Sequence, residues 1–253
     1  MPPPPDQVPA IVVGVQDYAD ADRIVRLLTP THGRVSALAR RARSSQRRFG
    51  GALDLGNRVE AAIRPGQGSL WHLQEATLVD GRLHARRDLA LLGLLVYSVE
   101  LCGALSREHH PEPRLFGLLD TTGLLLGAMT AAPGRLFRLG LEAKALTFAG
   151  FQPVLDRCAR CDGPLEDPMC FVAESGGAEH VRCHIGVAPP VPLGWLQAVE
   201  QARRTPLREL IDLAAPPGPD DALALCVEAH LGAPLKARRM LTAMAPDSPP
   251  RLD

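Results

Sequence analysis

The stretch that most constrains this chain runs from Cys158 to Cys183: Cys-Ala-Arg-Cys, then eighteen residues, then His-Val-Arg-Cys. Two ligand pairs, Cys158/Cys161 and His180/Cys183, each carry two residues between their members. That spacing places two donors on one edge of a tetrahedron, the geometry Zn²⁺ takes in structural sites with thiolate and imidazole ligands. Gly176-Gly177 lies in the intervening segment, where a sharp reversal must bring the second pair back onto the first. Cys170 and His184 are near enough in sequence to replace one ligand, and a metal-free cluster of buried thiols is the plain alternative. The regular two-residue gap favours Cys158, Cys161, His180 and Cys183, holding a structural Zn.

A chain of 253 residues exceeds one typical domain. Lys plus Arg equals Asp plus Glu, 28 against 28, so the whole chain advertises no charged partner. The distribution does. From Arg23 to Leu53 there is no acid, while eight arginines (23, 26, 34, 40, 41, 43, 47 and 48) fall there. A neutral total with one basic segment predicts a local contact with an anion. Six cysteines in a knuckle pattern, and no secretory signal within Met1–Pro9, predict a reducing, cytoplasmic setting. The longest apolar run, near Leu89–Tyr97, falls far short of the ~20 residues that cross a bilayer, so no membrane partner is expected.

Residues 10–76 read as five short strands: 11–15, 24–29, 34–41, 58–64 and 69–76. In the third, Val35, Ala37 and Ala39 alternate with Arg34, Ser36 and Arg40, and a period of two puts both arginines on the outward face. Val59, Ala61 and Ile63 alternate inward in the fourth, and Gly66-Gln67-Gly68 is expected to turn the chain into the fifth. Five strands without a long helix between them predict a small closed barrel of the oligonucleotide-binding (OB) type. From about Arg86 the texture becomes Leu/Ala-rich with helical period: 89–105, 114–129 and 136–149, expected to pack as one bundle, with interruptions at Asp120–Thr122 and Pro133-Gly134. Further helices are expected over 195–204, 206–213, 222–231 and 235–244, and residues 246–253 as a tail without structure. The fold class is therefore α+β, a five-stranded OB-type β-barrel over 8–80, then a helical domain over 81–253 with a zinc-knuckle insertion at 158–186.

Several words, in this order, resemble the bacterial recombination mediator family RecO. They are Ala21-Asp22-Arg23-Ile24-Val25-Arg26-Leu27-Leu28-Thr29, Gly33 to Ala37, Arg48-Phe49-Gly50-Gly51 and Val99-Glu100-Leu101. Gly150-Phe151-Gln152-Pro153 before the first knuckle, and His230-Leu231-Gly232 with Lys236-Ala237-Arg238, complete the set, which spans about residues 11–241. Two positions depart from the family pattern: His180 stands where Cys is usual, and Ala237 where Ser is usual. The resemblance implies a DNA-repair protein that binds single- and double-stranded DNA, anneals complementary strands and, with RecR, helps RecA onto strands covered by single-stranded DNA-binding protein. It also implies a receptor for that protein's acidic, apolar C-terminal tail. The helices after the knuckle offer Arg203, Arg204, Arg208, Lys236, Arg238 and Arg239 as its rim. Nucleoid association in the cytoplasm follows from the same resemblance.

Forked guanidinium groups suit phosphate oxygens, so Arg34, Arg40, Arg41, Arg43, Arg47 and Arg48 are the expected DNA contacts. A solvated charged loop is the plain alternative. Tyr18, Phe49 and Trp71 are the stacking candidates in this part of the chain, too few for base-specific reading. No residue set reads as catalytic. His109-His110 with Glu108 and Glu112 fits a solvated helix end better than a metal or acid/base site, and there is no phosphate-cradling loop followed by Lys and Ser or Thr. The protein is thus expected not to be an enzyme. A zinc-containing nuclease, an accessory subunit of one, or a thiol oxidoreductase using Cys158 and Cys161 is the alternative.

Overall fold

The computed structural model describes residues 4–66 and 68–243. The expected turn residue Gln67 and the tail 246–253 lie outside the described residues. The chain divides into two compact units, the first reaching Ala131 and the second running Ala132–Arg239.

The first unit is built on a closed barrel of five strands in the order β1-β2-β3-β5-β4. These are β1 (Asp6–Tyr18), β2 (Asp22–Thr29), β3 (Gly33–Ala39), β4 (Arg58–Arg64) and β5 (Trp71–Asp80). β1 serves two neighbours: Asp6–Ile11 pair with β4, and Ile11–Tyr18 pair with β2. A register shift between Val12 and Gly14 lets one strand turn that corner. Parallel pairing of Ala37 with Trp71 and Leu38 with His72 closes the barrel and removes its edges. The alternation read from the sequence holds, since Val35, Ala37, Ala39, Val59, Ala61 and Ile63 are all fully buried. Phe49, on the short helix α1 (Gln46–Phe49), joins this core, so it anchors the basic loop instead of offering a stacking face.

α2 (Leu89–Leu105) and α3 (Pro113–Ala128) belong to the same unit as the barrel, so the helices expected as one bundle are shared between the two units. Asp88 caps α2 by accepting a hydrogen bond from the Leu91 N–H. α3 runs without a break through Asp120–Thr122, where an interruption was expected. Its polar residues have local and tertiary partners: Thr122 donates to the Leu118 carbonyl, and Asp120 lies 2.5 Å from Arg82 and 3.5 Å from Arg58. Arg82 is buried between Asp120 and Asp80.

The second unit packs α4 (Arg135–Phe148), α5 (Leu193–Arg204), a 3-10 helix at Leu207–Leu210 and α6 (Ala222–Leu231) around one core. Gly134 precedes α4, as the Pro133-Gly134 break required. Lys144 reaches from the buried face of α4 to donate to the carbonyls of Ala202 and Arg203, capping the C-terminus of α5. Between α4 and α5 the chain forms a three-stranded sheet, β7-β6-β8, from β6 (Met169–Val172), β7 (Gly177–His180) and β8 (Pro190–Val191). Among the described residues, no helix is long and apolar enough to cross a membrane.

Candidate nucleic-acid interface and metal centre

The four expected metal ligands converge. One donor atom from each of Cys158, Cys161, His180 and Cys183 lies within 4.8 Å of the others. The first knuckle is a tight turn in which the Cys158 N–H donates to Gly163 O and the Asp162 N–H to Cys158 O. His180 ends β7, and the Cys183 N–H donates back to its carbonyl, forming the second knuckle. Gly176 adopts φ +69° in the β6–β7 turn, and a side chain on Gly177 would collide with Val154; the glycine pair is needed where the sequence suggested it.

Two donor separations match those around a tetrahedral ion. His180 Nδ1 is 3.4 Å from Cys161 Sγ and 3.6 Å from Cys183 Sγ. Bond lengths of ~2.3 Å to sulfur and ~2.0 Å to nitrogen at tetrahedral angles give an S–N edge of ~3.5 Å. The other ring nitrogen, Nε2, lies 2.8 Å from the Pro164 carbonyl, which fixes the tautomer that leaves Nδ1 as a donor to metal. Burial opposes ionisation of the Cys158 thiol. The backbone N–H groups of His180, Cys161 and Arg160, with the Cys161 side chain, outweigh it and bring the thiol down to about 6. The two competing residues have other partners: Cys170 donates to Glu179 O, and His184 pairs with the buried Glu179 carboxylate at 3.1 Å. Cys158 and His180 are buried, whereas Cys161 is at the surface.

The six expected DNA-contacting arginines differ in what already occupies them. Arg34 is outward on β3, but its Nη1 donates to Gly103 O near the C-terminus of α2, and Glu108 lies 3.6 Å from its Nη2. A cation there satisfies carbonyls that a helix leaves unpaired. Its neighbour Gly33, at φ +62°, packs against the backbone of Arg107 and His110, where a side chain would not fit. Arg48 spans the loop base, donating to Ser45 Oγ and Arg40 O, and Arg43 donates to Asp20 O. Arg40, Arg41 and Arg47 are exposed, and among the described residues no carboxylate pairs with their side chains. The structure thus brings Arg40 and Arg48 together at the loop base and sets Arg34 against α2.

Sequence reasoning missed Arg64 and His72, which line a groove with Arg40 and Arg48 on the barrel surface. The alternation of β4 that buries Val59, Ala61 and Ile63 also sends Arg64 outward, so the signal was present in the pattern. Trp71 lies between His32 and His109, with ring centroids 5.1 and 5.9 Å away, which gives His109 a packing role.

In the second unit, Arg203 and Arg204 both fork onto Glu200, and Arg238 forks onto Glu228 with Asp221 3.2 Å away. The Arg203 guanidinium, opposed by burial and joined by Arg204, holds the Glu200 carboxyl below its ordinary value. Arg239 is exposed.

Residues 6–82 match the family described as Recombination protein O N terminal, and residues 86–239 match Recombination protein O C terminal. A protein of Anaeromyxobacter dehalogenans named DNA repair protein RecO is 41% identical over 245 residues, covering 93% of this chain and 95% of that relative. The protein of the same name from Myxococcus xanthus is 38% identical over 233 residues, covering 90% and 93%. That from Geobacter sulfurreducens is 39% identical over 181 residues, covering 71% and 72%.

Proposed function

Because the chain belongs to the RecO family of DNA repair proteins, we propose that it is a non-enzymatic, cytoplasmic and nucleoid-associated mediator that binds single- and double-stranded DNA through the basic end of its barrel. The observation that carries this reading is the cluster Arg40, Arg41, Arg43, Arg47 and Arg48 on a closed OB-type barrel, in a stretch of sequence with no acid from Arg23 to Leu53. Arg34 sits at the edge of this surface, where its guanidinium already holds the end of α2. Phosphate contacts of this kind neutralise two repelling backbones while leaving base edges free, which is what annealing of complementary strands requires.

With RecR, the protein would then assist RecA onto strands covered by single-stranded DNA-binding protein. The acidic tail of that protein would meet the rim of Arg203, Arg204, Arg238 and Arg239 on the second unit. Three of these arginines are partly neutralised by Glu200, Glu228 and Asp221, so the tail would have to share or displace those carboxylates. Cys158, Cys161, His180 and Cys183 would hold Zn²⁺ as a structural ion: four protein donors would leave no position for a reactive water, and the bound ion would fix the knuckle.

Annealing of complementary strands by purified protein tests the proposal. Faster annealing than the spontaneous reaction, at protein concentrations that saturate the strands, is expected. Strand cleavage in the presence of Mg²⁺, or no acceleration at all, would contradict it.

A further inference from the structure

The groove beside the basic loop has a shape that a phosphate-binding surface alone does not need. Half open to solvent, it offers about 460 Å³, within the range of small-ligand sites. It opens on the barrel where β3 and β5 pair for only two residues before separating. Arg64 and His72 are partners in register on β4 and β5, and Leu38 pairs with His72 from β3, so these three side chains share one row across the barrel surface. Ala62 and Gln7, themselves paired, lie in the adjoining part of the groove.

Two features point to a ligand. Arg64 Nε, like Arg34 Nε and Arg82 Nε, is buried without a hydrogen-bond partner, so the Arg64 guanidinium is not committed to a protein acceptor through that atom. Among the described residues, neither Arg40 nor Arg64 has a carboxylate partner, although both line a groove in which Glu75 is the one acid. Two guanidinium groups that no carboxylate holds fit a single phosphodiester. The rest of the lining fits a base. Leu38 and Ala62 give an apolar floor, the His72 ring gives a stacking face, and the Gln7 and Gln74 amides can both donate and accept. Burial, then the positive fields of Arg64 and Arg40, hold the His72 imidazole below its ordinary value, so at neutral pH the ring stacks without adding charge.

We propose that this groove takes one unpaired nucleotide of a single DNA strand, its phosphate between Arg40 and Arg64 and its base against His72 and Leu38. The proposal rests on the reading that the barrel binds DNA and adds a division of labour to it. Of the basic cluster, Arg41, Arg43 and Arg47 touch phosphates of either form of DNA, while Arg40 lines the groove. The groove admits a base only when that base has no partner, and so favours single strands. Arg48, tied to Ser45 and to the Arg40 carbonyl, positions the groove wall.

Fluorescence anisotropy with a labelled oligothymidine and a blunt duplex of equal length tests this in the full chain. R40A/R64A should weaken oligothymidine binding about tenfold, the loss expected for charge-assisted hydrogen bonds to one phosphate, and duplex binding by less than about threefold. H72A, in which both arginines remain, should also reduce oligothymidine affinity more than duplex affinity. Should R40A/R64A fold poorly by circular dichroism, R40A alone, at an exposed position, gives the same comparison with H72A. Equal losses for both DNAs, or an unchanged oligothymidine affinity, would overturn the groove assignment. R41A/R43A/R47A reports separately on the parent reading. If it leaves both affinities unchanged, the loop is not a DNA surface, whatever the groove variants do.

Discussion

Asp120 is the acceptor on which the end of the barrel and α3 converge, and its removal has a calculable cost. One carboxylate oxygen lies 2.5 Å from Arg82 Nη2 and the other 3.5 Å from Arg58 Nε, while Arg82 is only 1% exposed. Removing one partner of a buried ion pair costs about 3–5 kcal/mol, mostly because the remaining charge is left without compensation. Asp80 stays 2.6 Å from Arg82 Nη1, so the lower end of that range applies to D120A. With a urea dependence of ~2 kcal/mol per molar, a loss of ~3 kcal/mol lowers the unfolding midpoint by ~1.5 M. The chain has two tryptophans, and each compact unit holds one, Trp71 in the first and Trp195 in the second. In a W195F background, Trp71 fluorescence therefore reports on the unit that contains Asp120. R82M/D120A should recover part of the loss, because a methionine leaves no buried charge behind. A midpoint shift below ~0.3 M for D120A, or a double variant as unstable as the sum of the singles, would refute the reasoning.

Three further outcomes are expected. Elemental analysis of the native sequence should find about one Zn²⁺ per chain; H180A should abolish it, while H180C, which restores a soft donor, should retain it. Burial, aided by Arg203, pushes the Lys144 ammonium down to about 8, below the ~10.4 of an unfolded lysine. Folding then releases a proton between those values, so stability rises with pH across that window; denaturation midpoints should show the rise in the native sequence and not in K144M. R34A should lower the stability read at Trp71 by ~1 kcal/mol, because it removes one of the two donors to Gly103 O, Ser106 Oγ being the other, and should change DNA affinity less than substitutions at Arg41 or Arg47 do.

What could be read from the sequence was what local periodicity and spacing encode. The alternation of Val35, Ala37 and Ala39 with polar neighbours defined β3, and the two knuckles defined the donor set, because each signal lies within a few residues. Cys170 and His184 could be set aside only by seeing them bonded around Glu179. Arg34 looked like the other arginines because its acceptor, Gly103, is 69 residues away. Asp120 and Thr122 looked like a helix break because the partner that draws the aspartate in, Arg82, is 38 residues upstream. Arg64 and His72 belong to different strands of a hairpin and meet Arg40 only when the barrel closes. Long-range closure therefore decides which charges are structural and which remain free.

The central claim is that the loop arginines bind DNA through phosphates, and the salt dependence of binding tests it most directly. Affinity for oligothymidine should be measured across a series of salt concentrations for the native sequence and for R41A/R43A/R47A. Each lost phosphate contact on a single strand flattens the slope of log affinity against log salt by ~0.7, so three contacts should flatten it by ~2. Zinc content and circular dichroism should be unchanged, since none of the three side chains is buried in the barrel. A variant with the affinity and the salt slope of the native sequence would mean that the basic loop is only solvated, and would contradict the account.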